Sequence, residues 1–358
     1  MGDATPASLT IPVPSSRSGA GMGASVWLGG LALLLPMAMV GALTFGRYPL
    51  SLHDLSAFIQ TATGFGAMAP EQFNLIHNLI WEIRLPRILA AVLIGAALAS
   101  SGAAYQSVFV NPLVSPGILG VLAGASFGAA LGMVAFKSWA LVQVATVAGG
   151  LAAVIIGVGI GRMFGERSVV MLVLGGIFSG ALFSGLLALV KFLADPYQQL
   201  PAIVYWLMGS LGQVDLAQLA RYAPIMLAGV FGLAVLGRAL DALAMGEDEA
   251  AALGVPVATV RAGVIIFATV ISAMTVALAG MIGWIGLLAP HIARLLVGPL
   301  NRTLVPASAL LGGLFLLAAD MLARGVSETE LPIGVVTELI GLPAFLLVLR
   351  NVRKGWAT

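Results

Sequence analysis

Ten apolar runs of membrane-spanning length follow one another along this chain, and that pattern leaves little choice of fold. They fall near residues 26–46, 88–110, 113–136, 139–161, 169–193, 222–240, 259–281, 282–298, 303–323 and 331–349. A helix needs about 20 apolar residues to cross a bilayer core. Hydrophobic residues make up 60% of the 358 and charged ones 9%. A soluble domain carries roughly 25% charged residues, so lipid must solvate much of this surface. The expectation is an all-α polytopic membrane protein with about ten transmembrane helices, built from residues 26–358. Residues 1–25, rich in Ser, Pro, Gly and Ala, read as a disordered cytoplasmic lead. The first run is too long, and its start too poor in basic residues, for a cleaved signal peptide. The eighth is short and interrupted by Pro290.

Several function classes drop out. The chain has no cysteine, which excludes disulfides, thiolate metal sites and thiol nucleophiles. His53, His77 and His291 are far apart and lack ligand spacing. None of the lysines sits in a GxxxxGK[ST] phosphate loop, so ATP is not bound that way. No nucleophile elbow or carboxylate pair is visible, and the reading is not an enzyme. The net charge of +2 comes from scattered basic residues, with no patch that would follow a nucleic-acid backbone.

With both termini in the cytoplasm, the inner loops receive Arg162, Arg167, Arg238, Arg261, Arg294, Arg302, Arg350, Arg353 and Lys354. The outer side receives Arg47, Arg84, Arg87, Lys137, Lys191, Arg221 and Arg324. The bias has the expected sign but is modest, and the outer arginines call for a reason of their own. An internal echo, GAAYQSVFVNP from Gly102 and GMIGWIGLLAP from Gly280, is what inverted five-helix repeats would produce; chance similarity in Gly-rich sequence is its rival.

Four features could carry function. Residues 241–258 interrupt the hydrophobic pattern with the acidic run Glu247, Asp248, Glu249 and the helix terminators Gly254 and Pro256. They read as a solvated linker or as a short helix that docks a soluble partner. Arg84, Arg87 and Arg324 lie at the outer ends of spans, as interfacial anchors or as guanidinium forks for a partner's carboxylates. Asp320, one turn before Arg324, competes for it. Asn111-Pro112-Leu113 and Pro116-Gly117 break the chain between the second and third spans, as a tight connection or as a gate. Glu338 is expected near the middle of the last span, where a carboxylate is costly and often functional. A proton-coupled secondary transporter using Glu338 is therefore the alternative class.

Taken in order, RLPRILAAVLIGAALASSGAAYQ (84–106), NPLVSPGILG (111–120), WLMGSL (206–211), GEDEAAALGV (246–255), APHIARLLVGP (289–299), VPASALLGGLFLLAADMLAR (305–324) and ELPIGVVTELIGLPAFLLVL (330–349) carry a likeness. The chain resembles the FecCD-type permeases of iron-siderophore, haem and vitamin B12 importers, over nearly everything after residue 25. The resemblance implies a type II ABC importer permease fold in a bacterial inner membrane, with two copies enclosing a pathway lined chiefly by the fifth helix. It implies two ATPase subunits holding ATP and Mg, a periplasmic substrate-binding protein, and no cofactor or metal on this chain. Gly246, Glu247, Asp248, Ala251, Leu253 and Gly254 then resemble the ATPase-coupling element, and Arg84, Arg87 and Arg324 the binding-protein contacts. Asn111, Pro112 and Leu113 map to one gate loop; Ser168, Val169 and Val170 map to a second, where some relatives carry hydroxyl residues. His291 belongs to a motif read as structural. Glu338 departs from the small or apolar residue expected. The favoured cargo is haem, then ferric siderophore, then cobalamin.

Overall fold

A computed structural model describes residues 20–46, 48–163, 169–326 and 329–355. Among them the regular elements are all helical. They are α1 (Ala20–Thr44), α2 (Leu52–Ala62), α3 (Pro70–Asn78), α4 (Leu85–Val108), α5 (Val121–Ala135), α6 (Trp139–Met163), α7 (Val169–Leu193) and α8 (Gln199–Leu207). Then follow α9 (Leu216–Val235), α10 (Gly237–Leu243), α11 (Glu247–Ala252), α12 (Val257–Ala279), α13 (Ile285–Val297), α14 (Asn301–Gly325) and α15 (Ile333–Gly355). Each of the ten expected spans corresponds to one helix: α1, α4, α5, α6, α7, α9, α12, α13, α14 and α15. Seven of these lie in helices long and apolar enough to cross a membrane; the apolar stretches in α5, α13 and α15 are shorter.

The differences have local causes. The third span begins at Val121 rather than 113, because Pro112, Pro116 and Gly117 hold residues 109–120 in a loop with one 3-10 turn, Pro116–Leu119. Pro290 does not interrupt α13, which runs through it from Ile285 to Val297. The expected disordered lead, 1–25, lies mostly outside the described residues, and α1 already starts at Ala20. Helices α2, α3 and α8 were not anticipated, being too short to register as spans. α2 starts on a capping box, in which the Ser51 hydroxyl accepts from the Asp54 amide and the Asp54 carboxylate accepts from the Ser51 amide. The hydrogen bonds from Ser51 hold the Asp54 carboxyl below its ordinary range.

The centre of the molecule is α4, buried over nearly its whole length. It runs against α14, α12 and α13. Lipid removes the hydrophobic drive between helices, so close packing of small residues must hold them together. Gly95 and Gly312 show how close. A methyl group added to Gly95 would sit 2.2 Å from the Gly312 carbonyl oxygen, and one on Gly312 would sit 2.2 Å from that of Gly95. Where α4 meets α13, a methyl on Gly102 would lie 1.8 Å from the Gly286 oxygen. α1 and α7, by contrast, leave most of their residues exposed in the single chain. The echo between Gly102 and Gly280 does not mark equivalent places. Gly102 is inside α4, whereas Gly280 lies past the end of α12 with φ +72°. The helix pairings fit paired halves better, since α4 packs on α14 as α12 packs on α6.

A methyl at either glycine of the α4–α14 contact strikes backbone that cannot yield without moving a helix. Gly95→Ala and Gly312→Ala are each expected to destabilise by about 1–3 kcal/mol, the range for overpacking. Gly159→Ala, with nothing within 4 Å of the added carbon, is expected to be neutral. Thermal unfolding in detergent checks the contrast.

Candidate functional site

Antiparallel succession of the helices sorts the candidate residues to two ends of the molecule. At one end the three arginines come together around the start of α4 and the end of α14. Arg84 closes a π-helical turn, Leu79–Arg84, that joins α3 to α4. Its guanidinium donates to the carbonyl oxygens of Leu43 and Tyr48. Arg87 donates through Nε to Asp320 Oδ1 at 2.7 Å and through Nη1 to Glu330 Oε2 at 2.6 Å. Arg324 Nε lies 3.1 Å from Asp320 Oδ2, the pair anticipated from the four-residue spacing, and its Nη1 donates to the Phe45 carbonyl at 3.3 Å. Asp320 is completely buried, deeper than its sequence position suggested. Arg84, Arg87 and Arg324 are only 3%, 6% and 8% exposed. In the single chain they are therefore neither snorkelling anchors nor forks presented at an open mouth, because internal oxygens already occupy them. Sequence inspection missed Glu330, which reaches Arg87 from the turn between α14 and α15. Three guanidinium groups against two carboxylates leave one net positive charge, and Arg324 Nη2 is buried with no hydrogen-bond partner among the described residues.

At the opposite end lie α10 and α11. Gly246, with φ +131°, turns the chain between them and begins α11, whose first turn holds Glu247, Asp248 and Glu249. Gly254, φ +80°, ends it, as its sequence position anticipated. Ala250 is fully buried and anchors α11, while Asp248, Ala251, Leu253 and Gly254 are exposed and Glu247 is half-buried. Glu247 pairs with Arg261 at the start of α12. Met245 is 60% exposed and Leu253 65%. A buried chain of hydrogen bonds leads inward from here. The Asp241 carboxylate on α10 accepts from the Asn301 amide, at the positive N-terminus of α14. The Asn301 side-chain oxygen accepts at 2.6 Å from the hydroxyl of Ser107, the penultimate residue of α4. Neither Asn301 nor Ser107 stood out in the sequence, since single polar residues at helix ends are commonplace.

The first gate candidate follows directly. Val110, Asn111, Pro112 and Leu113 form an exposed tip, with Val110 at φ +46°, a left-handed conformation unusual for a β-branched residue. The Asn111 side chain accepts from the Leu113 amide at 2.9 Å, which tightens the turn. Of the second candidate, Ser168 lies outside the described residues. Val169 and Val170 open α7, and Val170 is 63% exposed. His291 is buried, its Nδ1 3.2 Å from the Leu287 carbonyl and its ring edge-on to Phe345, which suits a structural role. Glu338 lies five residues after Ile333, the start of α15, on an exposed face, and falls inside the apolar stretch Ile333–Val348, a little short of its midpoint. Among the described residues there is no group of three or more His, Cys, Asp or Glu fit to hold a metal.

Removing one partner from a buried charge cluster leaves the others uncompensated. Asp320→Ala, which strands Arg87 and Arg324, is expected to cost about 3–5 kcal/mol. Asp320→Asn keeps the acceptor and is expected to cost less. Unfolding of both variants in detergent tests the order.

The sequence profile of the FecCD transport family matches residues 33–351. The molybdate import system permease protein MolB of Haemophilus influenzae is 36% identical over 91% of this chain and 96% of its own length. A probable iron chelatin transport system permease protein of Helicobacter pylori is 33% identical over 90% and 98%. The vitamin B12 import system permease protein BtuC of Salmonella typhi is 38% identical over 76% and 84%. Among solved structures, an inward-facing conformation of a metal-chelate type ABC transporter superposes with a TM-score of 0.81 at 36% identity, covering 91% of this chain and 99% of that one. The match spans the charge cluster, α10 and α11 and both gate candidates together: this chain belongs to the FecCD transport family.

Proposed function

We propose that this chain is the membrane-spanning half of an ATP-driven importer in a bacterial inner membrane, working as a pair of identical copies. The observation that carries the reading is the α10–α11 segment. Its first part, α10, packs on α4 and α14, while α11 is held from beneath by Ala250, and the apolar side chains of Met245 and Leu253 turn outward. Exposed apolar groups beside an acidic turn fit a partner protein's groove. Because the chain has no phosphate loop of its own, ATP and Mg belong on that partner, an ATPase subunit beneath each copy. The α11 end is then cytoplasmic, with both termini, and the arginine end periplasmic. The count of basic residues on the two sides favours this orientation modestly.

The periplasmic end is the docking site for a substrate-binding protein, attracted by the one positive charge that Arg84, Arg87 and Arg324 carry beyond Asp320 and Glu330. Cargo moves between the two copies, along exposed apolar faces such as Phe178 and Leu182 of α7. The relatives' names span molybdate, iron chelatin and vitamin B12. An apolar lining suits a large, partly apolar metal chelate, haem first, then ferric siderophore and cobalamin, better than a small oxyanion that needs polar ligands. Few histidines and no cysteine also suit a pathway that must release its cargo. Against the proton-driven alternative through Glu338 stands the family match, whose named relatives and structural neighbour are import permeases and an ABC transporter.

Three outcomes test this. Leu253→Asp is expected to abolish ATP-driven uptake while the chain still inserts, since the side chain is exposed and its loss leaves the core intact; normal uptake refutes the coupling role. Uptake by the reconstituted complex is expected to require ATP and to survive a protonophore, with haem outcompeting molybdate. Leu113→Cys is expected to crosslink between copies in some nucleotide states and not others; absence of crosslinking in every state removes this loop from the gate.

A further inference from the structure

Within the arginine cluster, one charged side chain reaches the surface. The Glu330 side chain is 38% exposed, against 7% for Arg87, 8% for Arg324 and none for Asp320. Nothing outside can therefore touch the Arg87 fork until Glu330 moves. We propose that Glu330 is an internal stand-in for a carboxylate of the substrate-binding protein: it caps Arg87 in the undocked importer and is displaced when that protein binds. The proposal rests on the docking reading given above.

Three features support it. The cluster has room for one more negative charge, because Arg84 is bonded to backbone carbonyls and to no carboxylate, and Arg324 Nη2 is buried without a partner among the described residues. Glu330 is the member that can leave, since it sits in the short connection between α14 and α15 and its bond to Arg87 Nη1 lies at the surface. Asp320 stays on Arg87 Nε at 2.7 Å, so the fork keeps its orientation when Glu330 departs. Gly212, in the loop after α8, lines the exchange point: a methyl there would sit 3.5 Å from Arg87 Nη1 and 3.6 Å from Glu330 Oε2.

Displacement also has a mechanical consequence. Just beyond Glu330, the Ile333 amide donates to the Gly209 carbonyl at 3.1 Å and the Gly334 amide to that of Met208 at 3.0 Å. The Ser210 amide donates to the Ala279 carbonyl at 2.9 Å. The turn that carries Glu330 is thus tied to the ends of α8 and α12. Freeing Glu330 releases the side-chain tie between this turn and α4, and docking becomes a signal to α8 and α12.

A purely structural Glu330 and a displaceable one differ in sign. In the full importer in nanodiscs, with its own substrate-binding protein as the probe, Glu330→Gln and Glu330→Ala are expected to tighten docking by about two- to fivefold, the scale of a part-exposed ion pair. Glu330→Asp should return affinity to the wild-type value. Both neutral variants should also show a smaller increase in ATP hydrolysis on docking, since the release that docking drives has already occurred. Unchanged or weaker docking by both variants, while Arg87→Lys weakens it, overturns the proposal and leaves the docking reading standing. Equal tightening by Glu71→Gln, an exposed carboxylate on α3, overturns it as well, by showing a general charge effect. Tighter docking with a wild-type increase in ATP hydrolysis overturns the release step. Docking that ignores both salt and Arg87→Lys refutes the docking reading itself.

Discussion

The backbone contact between α4 and α14 is the constraint on which the rest of the molecule depends. Lipid tails are as apolar as leucine, so burying apolar side chains between helices gains little in a bilayer. What remains is close van der Waals packing, and Gly95 against Gly312 allows the two backbones to touch. The contact fixes the relative height and rotation of the two helices, and through them the position of every polar group they carry. Both candidate functional networks are mounted on this pair. Arg87 and Asp320 meet at one end, and Ser107 and Asn301 at the other.

That arrangement has a mechanical meaning. The α4–α14 pair ties the end that would meet a binding protein to the end that would meet an ATPase. α10 is joined to it by the bond from the Asn301 amide to Asp241, and by packing so close that a methyl on Gly237 would lie 2.9 Å from the Arg302 Cα. A push on α11 is therefore delivered to the core rather than absorbed in a linker. Among the seven long apolar helices, α1 and α7 have the smallest buried share. An element with few buried contacts is cheap to move or to cover, and this suits α7 to a face that changes partners between states.

The charge cluster shows why buried ions at the end of a membrane helix need one another. A lone guanidinium at this depth would be expensive, and so would a lone carboxylate. Together, Arg87, Arg324 and Asp320 satisfy most of their demands internally, helped by the carbonyls of the turn after α1. With Glu330 the charges of this group balance, Arg84 beside it is bonded to backbone carbonyls, and Glu330 is the most exposed member.

The sequence by itself determined the ten apolar helices, the break at residues 109–120, the short acidic helix closed by Gly254, and the pairing of Asp320 with Arg324. Each of these is local: a run of residues, a proline, a glycine, or a spacing of four. The tertiary structure alone decided that Arg87 belongs to Asp320, 233 residues away, and to Glu330, 243 away, and that Ser107 meets Asn301 across 194. It also decided that the three arginines are buried and that Glu338 lies on an exposed face of its helix. In a membrane chain the outward and inward faces of a helix are equally apolar, so the sequence carries almost no amphipathic signal to say which side packs inward. Contact between glycine backbones settles that question, and only after it is settled do the polar groups find their partners.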